Sequence, residues 1–415
     1  MRDKKILILI TEDWFAVSHF LPLIETLVEN GADVVVATRL SGKSEALEAV
    51  GATVVPFDFR RSSLNPFEQA FTVRRLSKLI QTQRPDVVHV IAMQPMVLAA
   101  LAARFTSRVP MMMHLTGLGF LGISEGRAAK FIRPAAMAAL NGVLARKSSW
   151  LIAENPEDHG FLVQQGIRVG DRVTIVPGAG VDEARFSPCT VRMEPPTTAA
   201  FVGRMIQSKG VEVLVEASRI IRERANAGAK SDASSRSNSN LSSFAVSLYG
   251  RVDDDNPEAI PETRIRQWEE EGLVTWHGHV ADVADIWRRS DICVLPSTSR
   301  EGMPRAVLEA AASRRPIIVT DVPGSRHFVR DGVEGLIVPP DDAVALADAL
   351  SELASQPDKR EAMGEAAHAR LIGGFTEAHV KRGLLDAYAG LGFDSRHSEP
   401  KKTDRLNQSV TPPPT

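Results

Sequence analysis

The chain has 415 residues, 44% of them hydrophobic and 24% charged, with 49 Lys and Arg against 51 Asp and Glu. That length suits two domains of ordinary size, and a net charge of −2 excludes a nucleic-acid binder that relies on a basic excess. Cysteine occurs only at positions 189 and 293, which excludes a disulfide scaffold or cysteine zinc site and fits a reducing cytosol.

The chain begins with a strand-like run, Ile6–Ile10, too short for a signal-peptide core. Further strands are predicted at Asp33–Ala37, Thr53–Val55, Val87–Ile91, Pro110–Leu115, Trp150–Ala153 and Val173–Val176. Several are apolar on both faces, as parallel strands covered by helices must be. The apolar stretch near Val97–Leu101 is broken by Gln94, Pro95 and Arg104, and no segment reaches the length of a membrane span. The expected location is the cytoplasm. The loop after the first strand, Thr11-Glu12-Asp13-Trp14-Phe15-Ala16-Val17-Ser18-His19, lacks G-x-G-x-x-G, so no dinucleotide cofactor is expected. His114 ends the fifth strand and leads into Thr116-Gly117-Leu118-Gly119, whose glycines permit close backbone approach to a ligand. Residues Gly126–Lys147 mix Arg and Lys with alanine and other apolar residues. Two readings stand: a packing helix flanked by cations, or an amphipathic basic stretch lying on anionic lipid.

Pro188, Pro195 and Pro196 mark a domain boundary within Phe186–Pro196. The pattern then repeats, with strands predicted at Thr198–Val202, Phe244–Tyr249, Leu273–Trp276, Ile292–Leu295, Pro316–Val319 and Gly335–Val338, and helices such as Val211–Arg224 and Val344–Ser355 between them. The βαβ signature given twice predicts an α/β protein of two Rossmann-like, doubly wound parallel-sheet domains facing a cleft, at residues 1–187 and 188–376. Ligands of such sheets bind at the carboxyl ends of the strands. Asn226–Ser243 is a Ser/Asn-rich insertion, expected to be a flexible surface loop. Residues 377–392 are predicted helical, and the tail from Phe393 is expected to be disordered.

Two loops carry the chemistry. Phe201-Val202-Gly203-Arg204-Met205-Ile206-Gln207-Ser208-Lys209-Gly210 follows one strand, and Ser299-Arg300-Glu301-Gly302-Met303-Pro304-Arg305-Ala306-Val307-Leu308-Glu309-Ala310 follows another. The second ends in a helix with Pro304 at its expected first position, an anion-receiving terminus. Were 301–309 wholly helical, its two carboxylates would stand ~12 Å apart along the axis. Trp276-His277-Gly278-His279 offers two imidazoles without a third ligand, and Arg251-Val252-Asp253-Asp254-Asp255 reads as a polar loop at a strand end. No metal site is expected.

The 301–309 segment resembles the Glu-x7-Glu motif of the retaining glycosyltransferases of family 4, which share the two-domain GT-B fold with glycogen synthase. The 201–210 segment resembles that family's Gly-Arg…Lys-Gly loop, and Gly178–Asp182 with Phe186 resembles its entry to the interdomain linker. The resemblance implies a hexosyl- or N-acetylhexosaminyltransferase whose donor is a nucleotide-diphosphate sugar, with UDP favoured over GDP. It implies Arg204 and Lys209 on the diphosphate, Glu301 on the donor sugar near the reacting carbon, and Glu309 on the ribose. Gly203 belongs to the first loop, while Gly302, Met303 and Pro304 would line the sugar pocket. Arg can fork two hydrogen bonds to phosphate and Lys adds a compact charge, so no metal cofactor is implied.

The Glu-Asp-Trp…Ser-His form resembles the bacterial subset acting on polysaccharide or lipid-linked oligosaccharide, which would point Glu12, Asp13, Ser18 and His19 into the cleft from the acceptor side. The first-domain catalytic position implied by the family falls on His114 or, aligned on the glycines, on Thr116 beside Gly117. The resemblance also implies a glycan or polyprenyl-diphosphate-linked acceptor, peripheral contact with the inner membrane from the cytoplasmic face, and a last helix crossing back to the first domain. A nucleotide-sugar epimerase on the same fold and an inactive nucleotide-sugar-binding protein are the alternatives.

Overall fold

Each predicted strand run forms a parallel strand, and the strand orders bring the two glycine-bearing loops together. The computed structural model describes residues 1–60, 65–106, 108–118, 127–186, 188–189, 196–231, 244–253 and 256–393, without the side chains of 127–131 and 228–231. The first domain holds β1 (Lys5–Glu12), α1 (Leu21–Glu29), β2 (Asp33–Arg39), α2 (Ser44–Ala49), β3 (Thr53–Pro56), α3 (Pro66–Gln83), β4 (Val87–Ile91), α4 (Met93–Ala102), β5 (Met111–Leu115), α5 (Arg127–Leu144), β6 (Ser149–Ala153), α6 (Pro156–Gln164) and β7 (Val173–Ile175). The second holds β8 (Thr198–Val202), α7 (Val211–Ser231), β9 (Ala245–Tyr249), α8 (Glu262–Glu270), β10 (Thr275–Trp276), α9 (Val283–Arg289), β11 (Ile292–Leu295), α10 (Arg305–Ala312), β12 (Ile317–Thr320), α11 (Ser325–Phe328), β13 (Gly335–Val338), α12 (Ala343–Ser355) and α13 (Pro357–Gly374). A last helix, α14, spans Glu377–Gly390.

The first sheet is seven-stranded in the order β3-β2-β1-β4-β5-β6-β7, and the second six-stranded in the order β10-β9-β8-β11-β12-β13. Each order reverses between its first strand and its fourth, at β1/β4 and at β8/β11. A doubly wound sheet opens a crevice at such a switch point. The loops carrying Lys209 and Glu301 leave the ends of β8 and β11, neighbours in the sheet. Ala92, just after β4, takes φ 78°, a conformation that non-glycine residues seldom adopt.

Side-chain parity assigns the two faces of the first sheet. Leu7, Leu9, Val88, Val90, Met111 and Met113 pack under α3, α4 and α5. Ile6, Ile8, Ile10, Val87 and Met112 pack under α1 and α14. Alternate residues of a strand face opposite sides, and both sides here are buried, so the runs read as continuously apolar.

Several sequence expectations change. The helix of the second loop begins at Arg305, with Pro304 as its extended N-cap, so 301–309 is not wholly helical and the 12 Å spacing does not apply. Asn226–Ser231 continues α7, so the insertion is not a loop from its start; residues 232–243 lie outside the described ones. Val181, ahead of the expected boundary segment, and Phe186, at its start, pack in the core of the second domain. α14 packs on the first domain: Val380, Leu384, Ala387 and Tyr388 are buried against its sheet, joined by Phe393. Phe393 is therefore ordered, and the rest of the expected disordered tail, 394–415, lies outside the described residues. α5 buries Met137, Leu140, Val143 and Leu144, as a packing helix does.

Candidate active site

The second domain supplies a charged wall. Lys209 closes a short 3₁₀ turn and is followed by Gly210 at φ 71°. A Cβ on Gly210 would stand 1.8 Å from the carbonyl oxygen of Pro296, so only glycine lets the post-β8 loop lie against the post-β11 loop. That approach joins Lys209 Nζ to Glu301 Oε1 at 2.7 Å and Oε2 at 2.8 Å. Ser297 Oγ donates to the same carboxylate. Arg204 Nη1 pairs with Asp253 Oδ2 at 2.7 Å while its side chain stays 36% exposed, leaving donors free for an anion. α10 adds a helix N-terminus, where the leading amides lack intrahelical acceptors.

Facing it, the first domain contributes the end of β6. Glu154 is buried, and its Oε2 accepts the Met303 N–H at 2.8 Å. Burial raises its pKa to about 8, with Asp158 and Glu301 adding repulsion against the Met303 hydrogen bond. Asn155 Nδ2 donates to the Gly302 carbonyl at 3.2 Å, and Arg300 Nη2 pairs with the buried Asp158 at 3.0 Å. Arg305 Nη1 donates to the Ser18 carbonyl. Gly302 sits at the seam: a Cβ there would fall 2.1 Å from Glu154 Oε2 and 2.6 Å from the Thr116 carbonyl oxygen.

Between the walls lies a cavity of about 1630 Å³ lined at this end by Glu12, His19, Thr116, Gly117, Glu154, Arg204, Lys209, Glu301, Gly302, Met303 and Pro304. His19 has its pKa lowered to about 3 by burial and by Arg305, Lys209 and Arg204, so it faces the cations as a neutral imidazole. Its Nδ1 lies 2.7 Å from Ser18 Oγ. Glu12 binds Arg39 Nε at 2.9 Å.

Five of the residues expected at the site do not line the cavity. Asp13 is buried and accepts the amides of Ser41 at 2.7 Å and Lys43 at 2.9 Å; burial raises its pKa, but these bonds and the Ser41 hydroxyl prevail and lower it. It holds the 41–43 loop. His114 shares its parity with Met112, so its ring points under α1 and α14. There it stacks on His89, with Nδ1 3.3 Å from His89 Nε2, while His89 Nδ1 lies 2.8 Å from Tyr388 Oη. Of the two aligned positions, Thr116 is the one on the cavity wall. Glu309 is buried at the base of α10 and holds Arg305 Nε at 2.9 Å. Gly203 donates its amide to the Tyr249 carbonyl at 2.9 Å and serves the β8–β9 approach. Ser18 reaches the seam through its carbonyl alone.

Glu154 was missed by the sequence reading. Its signal was a carboxylate directly after an apolar strand, at the ligand-binding edge of a parallel sheet. His277 stacks on Tyr249 with ring centroids 4.5 Å apart. Asp253 serves Arg204, while Asp254 and Asp255 lie outside the described residues. Among the described residues no group of three or more His, Cys, Asp or Glu could hold a metal ion, and no helix is long and apolar enough to cross a membrane.

Two parallel-sheet domains with glycine-bearing loops at facing switch points define the GT-B fold, and comparison with known proteins gives the family. Residues 5–154 match the family model described as glycosyl transferase 4-like, and residues 196–356 match that described as glycosyl transferases group 1. The chain belongs to this family of glycosyltransferases. It is 24% identical over 352 residues to the N,N'-diacetylbacillosaminyl-diphospho-undecaprenol alpha-1,3-N-acetylgalactosaminyltransferase of Campylobacter jejuni, covering 81% of this chain and 86% of the relative. It is 25% identical over 411 residues to the putative glycosyltransferase EpsD of Bacillus subtilis, covering 93% and 96%. In fold it is similar to Anabaena HepE, solved with UDP and glucose, at a TM-score of 0.69 and 17% identity over 93% of this chain and 99% of that one. It is likewise similar to the sucrose-phosphate synthase of Thermosynechococcus elongatus, at a TM-score of 0.70 and 18% identity over 94% and 99%.

Proposed function

We propose that the protein is a retaining glycosyltransferase that moves a hexosyl or N-acetylhexosaminyl unit from a UDP-sugar, with a GDP-sugar as the alternative donor, to a polyprenyl-diphosphate-linked glycan in surface polysaccharide assembly. The observation that carries this proposal is the Lys209–Glu301 pair set beside Arg204 on one cavity wall. Breaking the anomeric C–O bond leaves growing negative charge on the departing diphosphate, and preorganised donors aimed at that charge are the largest source of acceleration in such sites. Lys209 and Arg204 supply it without a metal. Glu301, held by Lys209 and Ser297, offers its carboxylate to the donor hydroxyls. His19, Thr116 and Gly117 face it from the acceptor side. Glu309 would reach the ribose only once Arg305 turns away from it. The acceptor class rests on the name of the Campylobacter relative, and the retaining outcome on the family motif.

The test is incubation with UDP- and GDP-sugars, with and without a polyprenyl-diphosphate-linked acceptor, followed by NMR of the product anomer. Acceptor-dependent release of nucleoside diphosphate with an α-linked product from an α-linked donor is expected. A sugar altered while still attached to its nucleotide would establish an epimerase instead.

A further inference from the structure

The polar loop after β9 lies across the loop that carries Arg204 and Lys209. The Met205 N–H donates to the Arg251 carbonyl at 3.1 Å and the Gln207 N–H to the Glu258 carbonyl at 2.9 Å, while the Ile260 N–H returns a bond to the Met205 carbonyl at 2.9 Å. Ser208 Oγ donates to Glu258. Glycine makes the crossing possible: Gly250 has φ 144°, and a Cβ there would stand 1.7 Å from the Gly203 carbonyl oxygen. On the β10 side, the Gly250 carbonyl accepts the Trp276 indole N–H at 2.9 Å, and its amide donates to the Gly278 carbonyl at 2.7 Å. The loop after β9 is thus a strap, tied at several points to the loop beneath it.

Asp253 is fixed within this strap. Its carbonyl accepts the Asn256 N–H at 2.8 Å, and Asn256 Oδ1 accepts the Glu258 N–H at 3.0 Å. From that position its Oδ2 accepts Arg204 Nη1 at 2.7 Å. Arg204 lines the cavity and Asp253 does not, so the carboxylate stands behind the guanidinium and acts on a ligand through it. The two side chains are 36% and 29% exposed, so water screens the pair in part without abolishing it. Lys209 is also paired with a carboxylate, but that partner, Glu301, is itself on the cavity wall and has its own place at the donor sugar. Asp253 has no such second task on the wall.

The charge that the site must hold changes during the reaction. Each phosphate of a nucleotide-diphosphate sugar carries about one negative charge; once the sugar has left, the terminal phosphate is a monoester and takes most of a second. Cations that stabilise the departing diphosphate therefore hold the product as well, and product release limits turnover in many enzymes. A fixed carboxylate at Arg204 opposes that hold, because its repulsion grows with the charge on the ligand. Resting on the donor reading above, we infer that Asp253 sets the affinity for the released nucleoside diphosphate: acting through Arg204, it keeps the product from being held too tightly. The strap is what keeps this counterweight in place.

The experiment titrates UDP and GDP by calorimetry into the full-length wild type and into Asp253→Asn, which keeps the size and an acceptor oxygen for Arg204 but removes the charge. Whichever diphosphate binds the wild type should bind the variant about fivefold more tightly, the upper end for a part-exposed charge pair. The gain should shrink as salt rises from about 0.05 to 0.5 M, because screening removes the repulsion that the substitution relieves. Asp253→Ala, which also loses the hydrogen bond, should still bind more tightly than the wild type. Equal or weaker binding by Asp253→Asn overturns the assignment and makes Asp253 a structural support for Arg204; so does a gain that salt leaves unchanged, or an alanine variant weaker than the wild type. A wild type that binds neither UDP nor GDP overturns the donor reading and takes this assignment with it, whereas a wild type that binds one of them beside a variant no tighter overturns this assignment alone.

Discussion

Replacing Lys209 by alanine removes two bonds of 2.7 and 2.8 Å to Glu301 and the cation facing the departing diphosphate. Loss of one such preorganised donor costs ~2.7–4 kcal/mol in the transition state, or about 10²–10³ in kcat. The ground state changes less. The two side chains are 20% and 14% exposed, so the pair is not fully desolvated, and Ser297 stays on Glu301. The stability loss should fall below the ~3–5 kcal/mol of a fully buried broken pair, at about 1–2 kcal/mol. Nucleoside-diphosphate release at saturating donor and acceptor measures the first effect, and urea denaturation the second. In a Glu301→Gln background the same substitution should cost less than the sum of the two, because contacting residues are coupled. A variant that stays folded with kcat within about threefold of wild type would refute the placement of Lys209, since the donor effect above is far larger.

Glu154→Gln tests the buried carboxyl at the seam. Its folded pKa, raised by burial to about 8 from the ordinary carboxyl value of 4.5, means the unfolded chain loses this proton first, so its stabilising contribution is complete below the lower value. Wild-type stability should fall relative to the Gln variant between those pH values, by about 1.4 kcal/mol per pH unit at most, and the gap should level off above them; parallel melting curves from pH 5 to 9 contradict this. Arg300→Ala leaves Asp158, whose side chain is 0% exposed, without its cation and should cost ~2–3 kcal/mol. Adding Asp158→Asn should recover most of that loss in denaturant midpoints; no recovery would mean that the cost lies elsewhere. Gly302→Ala places a methyl 2.6 Å from the Thr116 carbonyl oxygen, so the domains should separate. Small-angle scattering should show a larger radius of gyration, and an unchanged radius with full activity would contradict a seam this tight.

The strands were legible because parallel strands buried on both faces are apolar at consecutive positions, as in Ile6-Leu7-Ile8-Leu9-Ile10, with no polar alternation to confuse with a loop. The loops holding Arg204, Lys209 and Glu301 were legible because glycine and a neighbouring strand end dictate their chemistry locally. What escaped depends on contacts distant in sequence. His114 and Thr116 are two residues apart and compatible with the same alignment; which one meets the cavity depends on sheet parity and on α14, which supplies Tyr388 from the far end of the chain. Glu309 looked like a ligand because a buried carboxylate needs a partner, yet Arg305 one turn earlier already fills that need. Glu154 acquires its role only when the second domain brings the Met303 amide to it. The Ser/Asn-rich segment misled because its first residues extend the amphipathic pattern of α7 before the composition changes.

The most direct measurement is a structure of the full chain with a bound nucleotide-diphosphate sugar. The diphosphate should lie within hydrogen-bond reach of Arg204 and Lys209 at the mouth of α10, with the sugar between Glu301 and Thr116. A donor seated anywhere that leaves Lys209 and Glu301 paired only with each other would contradict the account.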